Sequence, residues 1–104
     1  MKHNKLVRDN IPEIILADGR EVSTRILDDK EYRGELEKKL LEECREVLEA
    51  KTEKRLEELG DVLEVMMALA KLDGYYLDDI VVAARQKREK RGGFEKKIFL
   101  IEEK

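Results

Sequence analysis

The chain has 104 residues, of which 25 are acidic and 22 basic, so 45% of it is charged while the formal net charge is only −3. A hydrophobic fraction of 41% with this balanced charge excludes the disordered class, which combines low hydrophobicity with a large net charge. No apolar run approaches the ~20 residues of a membrane-spanning helix. We expect one domain over residues 1–104, with no secretory signal and no membrane contact, in the cytoplasm, where a single cysteine stays reduced.

Apolar residues at helical spacing predict four helices. Capping residues and turns predict where each helix begins and ends. Asn10 precedes the first, short helix, and the turn at Asp18–Gly19 ends it. Asp28 is a capping residue for the second helix, with Glu31 three residues later. The predicted helices cover residues 11–17, about 28–50, about 53–73 and about 77–91.

Two other segments have the composition of strands. Residues 21–27 alternate β-branched and polar side chains, and residues 94–101 combine aromatic and β-branched ones. The two segments could pair with each other, and because two strands alone are marginal, such a pair must pack on the helices. The predicted fold class is all-α, a bundle of three main helices plus a short N-terminal helix, with a possible two-stranded β element (21–27 with 94–101).

The third helix is apolar around most of its circumference. One stripe contains Leu56, Leu59 and Leu63, and residues such as Val62 and Val65 occupy most of the remaining angles. A helix that is apolar nearly all round is normally buried. The third helix is therefore predicted to be the central helix of the domain or of a dimer interface.

The scarcity of histidine and cysteine limits the kinds of catalytic site that the chain can form. The one histidine, His3, lies near the end of the chain, so a catalytic set of Ser-His-Asp or Cys-His type is not expected. One His and one Cys exclude a Cys/His zinc site, and no glycine-rich phosphate loop is present. Carboxylates, lysines and arginines remain, which indicates metal-assisted chemistry on an anionic substrate.

Four carboxylates are predicted to lie close together when the second and third helices are placed side by side. Their very short connection predicts an antiparallel pair, in which Glu46 lies level with Glu58 and Glu43 with Asp61. The four would meet within roughly 5 Å along the helix axes. Like charges so close repel, and a hard divalent cation, chiefly Mg²⁺, removes that repulsion. The alternative interpretation is a solvated acidic surface, which we adopt for Glu37, Glu49 and Glu53.

Two basic segments are candidate phosphate partners for such a cation. Lys5 and Arg8 precede the first helix, and a cluster that includes Lys87, Lys90 and Arg91 ends the fourth helix before Gly92-Gly93. Cations at a helix C-terminus also have a purely structural explanation, because they favour the helix dipole. The balanced net charge gives little support to nucleic-acid binding.

Three segments resemble one known family. Residues 42–46 (EECRE) and 58–61 (ELGD) resemble the EExxE…ExxD signature of the MazG-like all-α nucleoside triphosphate pyrophosphatases. Residues 5–15 and 90–94 resemble the small phosphoribosyl-ATP pyrophosphohydrolase-like branch of that superfamily. The resemblance implies a homodimer or higher homo-oligomer that hydrolyses a nucleotide between its α and β phosphates with Mg²⁺, Mn²⁺ being possible.

The resemblance also implies roles for single residues. Glu42 matches the leading acid of the signature and is expected to support the metal ligands or orient water. Gly60 replaces an expected Ala, and Tyr75-Tyr76 replace a usual capping Ser or Thr. The implied metal ligands are Glu43, Glu46, Glu58 and Asp61, and the implied phosphate or base contacts are Lys5, Arg8, Lys87, Lys90 and Arg91.

Three functions remain open from the sequence. The first is removal of non-canonical nucleoside triphosphates by a pyrophosphohydrolase. The second is hydrolysis of phosphoribosyl-ATP in histidine biosynthesis. The third is a non-catalytic helical module in which the acids hold a structural ion or pair with basic residues. No residue pattern specifies a base.

Overall fold

The computed structural model describes residues 3–104, which form helices and connecting loops without any strand. No helix in this range is long and apolar enough to cross a membrane. The predicted all-α class, with three main helices and a short N-terminal one, is confirmed. The helices are α1 (Ile11–Ala17), α2 (Asp29–Glu49), α3 (Thr52–Leu72) and α4 (Leu77–Arg91).

The start of α2 is fixed by a capping box and an arginine. The Asp28 carboxylate accepts a hydrogen bond from the backbone N–H of Glu31 at 2.8 Å, and the Glu31 carboxylate accepts one from the backbone N–H of Asp28 at 3.3 Å. Arg25 donates to both oxygens of Glu31, at 3.2 and 2.7 Å. The Arg25 guanidinium and the Asp28 backbone lower the pKa of Glu31 to about 2. These contacts satisfy backbone N–H groups at the N-terminus of α2 and fix where the helix begins.

Helices α2 and α3 form an antiparallel hairpin around the small core. Only Ala50 and Lys51 separate the two helices, which leaves no room for any other arrangement. Leu36 of α2 and Val65 of α3 are the buried apolar side chains of the described residues. At the open end of the hairpin, Arg33 donates to the Asp73 carboxylate at 2.8 Å.

Beyond the hairpin the chain is far less packed. A turn at Gly74, with φ of 84°, leads into α4, which has no buried residue and little contact with α3. The radius of gyration is 18.1 Å, whereas a compact domain of this length has about 13 Å. The molecule is accordingly elongated, with extents of 61 × 34 × 25 Å.

The predicted pairing of residues 21–27 with 94–101 is wrong. Neither segment forms a strand, and both Ile26 and Phe99 are almost fully exposed. A two-stranded ribbon needs an apolar surface beneath it, and residues 94–101 and Ile26 are exposed, so they do not pack on any helix of the described chain. The strand-forming composition of these segments therefore has no pairing partner within one chain.

Candidate metal centre

The hairpin brings together carboxylates from both of its helices. Glu43 of α2 and Glu58 and Asp61 of α3 each place one oxygen within 4.8 Å of the others. Glu46 lies close enough to Glu43 and Glu58 to raise the pKa of both carboxyl groups. The sequence predicts this same register, because it places Glu43 level with Asp61 and Glu46 level with Glu58.

Burial distinguishes this cluster from ordinary surface acids. Glu43 is only 8% exposed and is the buried charged residue of the described chain. One oxygen of Glu43 and one of Glu58, both Oε2, are buried without a hydrogen-bond partner. A buried carboxylate oxygen without a hydrogen-bond partner costs free energy. A bound cation would offset that cost at both oxygens.

Burial and mutual repulsion shift the titration of the cluster. Burial, the adjoining Glu46 and the charge of Asp61 raise the pKa of Glu43 to about 7, against the opposing effect of Lys39. Partial burial and the charges of Glu46 and Asp61 also raise the pKa of Glu58. A divalent cation would reverse both shifts, since it favours the ionised form. An all-carboxylate donor set fits a hard cation such as Mg²⁺ or Mn²⁺.

Arg8 reaches the cluster from the segment before α1. Its guanidinium donates to the Asp61 carboxylate at 2.6 Å and lies 4.0 Å from Glu64. The side chain of Arg8 is 58% exposed, so the ion pair is open to solvent on one side. Of the predicted phosphate contacts, Arg8 is the one that lies at the carboxylates.

A cavity of about 380 Å³ adjoins the carboxylates and is walled by the N-terminal segment, α2 and α3. Its size falls within the range of small-molecule sites. Its lining includes the apolar Leu36 and Val65 and the ring of Tyr32, together with Arg8 and the acids Glu43 and Asp61. The sequence interpretation missed Tyr32 and Lys39 as lining residues. The signal was present, because residues 32, 36, 39 and 43 follow steps of four, three and four along one face of α2.

Several predicted site residues lie away from this cavity. The carboxylate of Glu42 points toward Lys39, at 4.0 Å, and is not part of the close cluster. Lys5 is exposed and does not line the cavity. The basic residues at the end of α4 also lie outside it, and one member of that turn, Arg88, pairs with Glu95. Those outside residues are Lys87, Lys90 and Arg91.

The comparisons with known proteins agree with this architecture. The family model of the MazG nucleotide pyrophosphohydrolase domain matches residues 33–93, more than half of the chain. The chain therefore belongs to this family, and the matched region contains the whole carboxylate cluster. The resemblance identified from the sequence is confirmed at this level.

The chain is also similar in sequence to one curated protein. An uncharacterized protein of Mycolicibacterium smegmatis is 50% identical over 48 residues, which are 46% of this chain and 49% of that protein. The matching region thus spans about half the length of each protein. No solved structure matches the chain.

Proposed function

We propose that the chain is a Mg²⁺-dependent nucleotide pyrophosphohydrolase, with Mn²⁺ as a possible substitute. It would cleave a nucleotide between the α and β phosphates and release a nucleoside monophosphate and pyrophosphate. The family membership supports the reaction class. The observation that carries the proposal is the pair of buried, unpartnered oxygens on Glu43 and Glu58, beside the carboxylate of Asp61.

Four carboxylates would hold the cation in this proposal. Three of them already place oxygens within 4.8 Å of one another, and Glu46 adjoins two of the three. When bound, the cation would neutralise charge on the phosphate oxygens and activate water. The proposed ligands are Glu43, Glu46, Glu58 and Asp61.

The remaining groups around the cavity would position the nucleotide. Arg8 already donates to a carboxylate oxygen, and its exposed guanidinium can donate to a phosphate oxygen in the same way. The ring of Tyr32 and the side chains of Leu36 and Val65 offer the base an apolar surface. The phosphates would then face the carboxylates, and the base would lie against the apolar side chains just named.

The proposed reaction is a hydrolysis that balances with water alone. The water oxygen forms a bond to the α-phosphorus, and the bond from that phosphorus to the α,β-bridging oxygen breaks. Pyrophosphate leaves with the electron pair of that bond, and the water loses a proton. Glu42 lies beside the cluster but outside the proposed ligand set, so it is the carboxylate that we assign to receive this proton or orient the water.

A substrate panel tests the proposal directly. The purified chain is incubated with Mg²⁺ and with standard and non-canonical nucleoside triphosphates, beside phosphoribosyl-ATP, and both products are quantified. We expect equal amounts of monophosphate and pyrophosphate, with the highest turnover on a non-canonical triphosphate. Exclusive turnover of phosphoribosyl-ATP would instead assign the chain to histidine biosynthesis. No pyrophosphate from any nucleotide with either Mg²⁺ or Mn²⁺ would favour the non-catalytic module.

Matched variants tie the activity to the cluster. Asp61→Asn and Glu43→Gln keep side-chain size and remove a charge, so we expect turnover to fall at least about 100-fold while the helical circular dichroism is retained. Glu37→Gln makes the same change at an exposed position of α2 and should leave turnover unchanged. Equal activity in Asp61→Asn and Glu37→Gln would refute the assignment of the cluster.

A further inference from the structure

Lys39 of α2 lines the cavity, and the proposed function so far gives it no role. Its side chain is 20% exposed, whereas that of the adjacent Lys38 is 80% exposed and lies outside the cavity. Lysine is among the residues that are least often withdrawn from water, and those that are withdrawn normally have their charge paired. The surroundings of the Lys39 ammonium therefore indicate what it is held in place to bind.

The ammonium lies beside two acids on the same face of α2. Its Nζ atom is 3.8 Å from Glu43 and 4.0 Å from Glu42, which follow Lys39 by four and three residues. Both separations exceed the ~3.2 Å limit of a good N–H···O hydrogen bond. Lys39 thus balances negative charge without donating a hydrogen bond to either carboxylate. Its N–H groups remain able to donate to an anion in the cavity.

The charges that line the cavity favour such a role. Four acidic side chains line it, and the basic ones are Arg8 and Lys39. A phosphate chain adds negative charge to this site, so it needs both basic side chains as well as the cation. Arg8 adjoins Asp61 of α3, and Lys39 adjoins Glu43 of α2. A phosphate chain at the carboxylates would therefore have a basic side chain beside each helix of the hairpin.

We propose that Lys39 is a phosphate-binding residue and, with Arg8, one of two basic contacts of the site. This assignment rests on the proposed function, because the phosphates belong to that nucleotide. When a cation binds Glu43, the attraction between Glu43 and Lys39 weakens, and the flexible stem of Lys39 lets its ammonium turn to a phosphate oxygen. Lys5 and the basic end of α4 lie outside the cavity, so within the described part of the chain Lys39 is the lysine in position for this contact.

The first test measures binding of inorganic pyrophosphate, which has the phosphate linkage without a base or sugar. Each variant is titrated by calorimetry with Mg²⁺ in excess. Lys39→Gln should weaken binding about tenfold, because a charge-assisted hydrogen bond is lost. Lys38→Gln makes the same change at the adjacent exposed position and should stay within about twofold. Lys39→Arg keeps the charge and should stay within about threefold. Equal affinities of Lys39→Gln and Lys38→Gln would overturn the proposal.

The second test uses the unaltered chain, so it does not depend on the folding of a variant. Lysine acetylation is followed residue by residue by mass spectrometry. Pyrophosphate with Mg²⁺, at ten times its dissociation constant, should slow acetylation of Lys39 about tenfold. Lys38 is the internal control and should react at an unchanged rate. Mg²⁺ alone should not protect Lys39. An equal rate at Lys39 with and without pyrophosphate would mean that this lysine only balances the neighbouring acids, which would overturn the proposal.

Failure of this assignment and failure of the proposed function give different results. If no nucleotide is hydrolysed but pyrophosphate binds and protects Lys39, the proposed reaction is wrong and the phosphate contact stands. If nucleotides are hydrolysed while Lys39→Gln leaves both KM and pyrophosphate affinity unchanged, the reaction stands and the phosphate contact is wrong. An unaltered chain that does not bind millimolar pyrophosphate in the presence of Mg²⁺ would also overturn the contact.

Discussion

The α2–α3 hairpin and the C-terminal part of the chain have similar charge-rich composition but behave differently. In the hairpin, acids from distant positions meet, and one of them is buried with Leu36 and Val65. From residue 81 to the end of the chain, every residue is exposed, and the ion pairs are local, such as Arg88 with Glu95. Charge therefore acquires a specific arrangement only where two helices pack against each other.

The difference also separates two kinds of electrostatic contribution. Exposed local ion pairs are worth about 0–1 kcal/mol, since water and salt screen them. In the hairpin, Glu43 and Glu58 each have one buried oxygen without a hydrogen-bond partner, and burial together with the neighbouring acids shifts the pKa of both upward. The hairpin thus keeps carboxylates close together although their repulsion is unfavourable, which is typical of a ligand site. The C-terminal part contains no such cluster among the described residues.

The largest expected contrast between the two regions is in stability. Leu36→Ala removes the most buried apolar side chain of the hairpin and should lower the free energy of unfolding by about 2–5 kcal/mol. Ile98→Ala removes an exposed side chain of the C-terminal segment and should stay within about 0.5 kcal/mol. Urea unfolding at equal chain concentration measures both. Equal losses would mean that the C-terminal segment is packed in solution.

The next contrast concerns the two basic regions. Arg8→Gln should raise KM for the nucleotide about tenfold, because a charge-assisted hydrogen bond to phosphate is lost beside Asp61. Lys90→Gln lies outside the cavity and should change KM less than twofold if the site is contained in one chain. Steady-state kinetics with saturating Mg²⁺ distinguishes the two variants. A larger effect of Lys90→Gln would show that the end of α4 reaches a substrate.

The pH dependence of metal binding tests the buried charge of the hairpin. With the pKa of Glu43 at about 7, binding of Mg²⁺ must displace a proton below that pH. We expect affinity to rise about fivefold from pH 6 to 7 and less than twofold from pH 7 to 8. Titration calorimetry in buffers of different ionisation enthalpy measures affinity and proton release together. Glu43→Gln should bind more weakly and with a flatter pH profile.

The metal-free protein should show the opposite trend in stability. Glu43 holds its proton more tightly in the folded protein than in the unfolded chain, where its pKa is near 4.5. The folded state therefore loses stability as the pH rises from about 4.5 to 7, and this loss is complete above 7. Thermal unfolding in a chelator should show a decline across that window, and added Mg²⁺ should remove it.

The smallest expected effect on stability comes from replacing a helical glycine by alanine. At Gly60 in α3 an added Cβ would meet no atom within 4 Å, so Gly60→Ala should stabilise the protein by about 0.5–1 kcal/mol. Gly92, which ends α4 with φ of 82°, is the control, because alanine is strained there and should bring no gain. Thermal midpoints compare the two. Destabilisation by Gly60→Ala would indicate that another surface lies against this position.

The parts of the structure that follow from the sequence are those decided by neighbouring residues. Asp28 and Glu31 form the capping box that their spacing predicts. The two-residue connection determines an antiparallel hairpin, so Glu43 and Asp61 meet as the register requires. The spacing of Tyr32, Leu36 and Lys39 also predicts a common face on α2, which is the face that lines the cavity.

The parts that did not follow from the sequence are segments whose composition predicts contacts that the described residues do not make. The strand-like composition of residues 21–27 and 94–101 is real, but composition alone does not supply a pairing partner. The apolar stripe through Leu56 and Leu63 predicts burial, and a single chain leaves it exposed. Periodicity indicates which side chains need to be covered, and it does not identify what covers them.

The two-residue connection between α2 and α3 also affects how fast the centre assembles. Every carboxylate assigned to the cation lies between Glu43 and Asp61, so the centre requires only one short loop to close. Contacts of low sequence separation form early in folding, before contacts that depend on distant segments. We therefore expect the acids to converge, and to repel one another, before the more distant segments have folded. We expect refolding to be faster at neutral pH when Mg²⁺ is present from the start than when it is added afterwards.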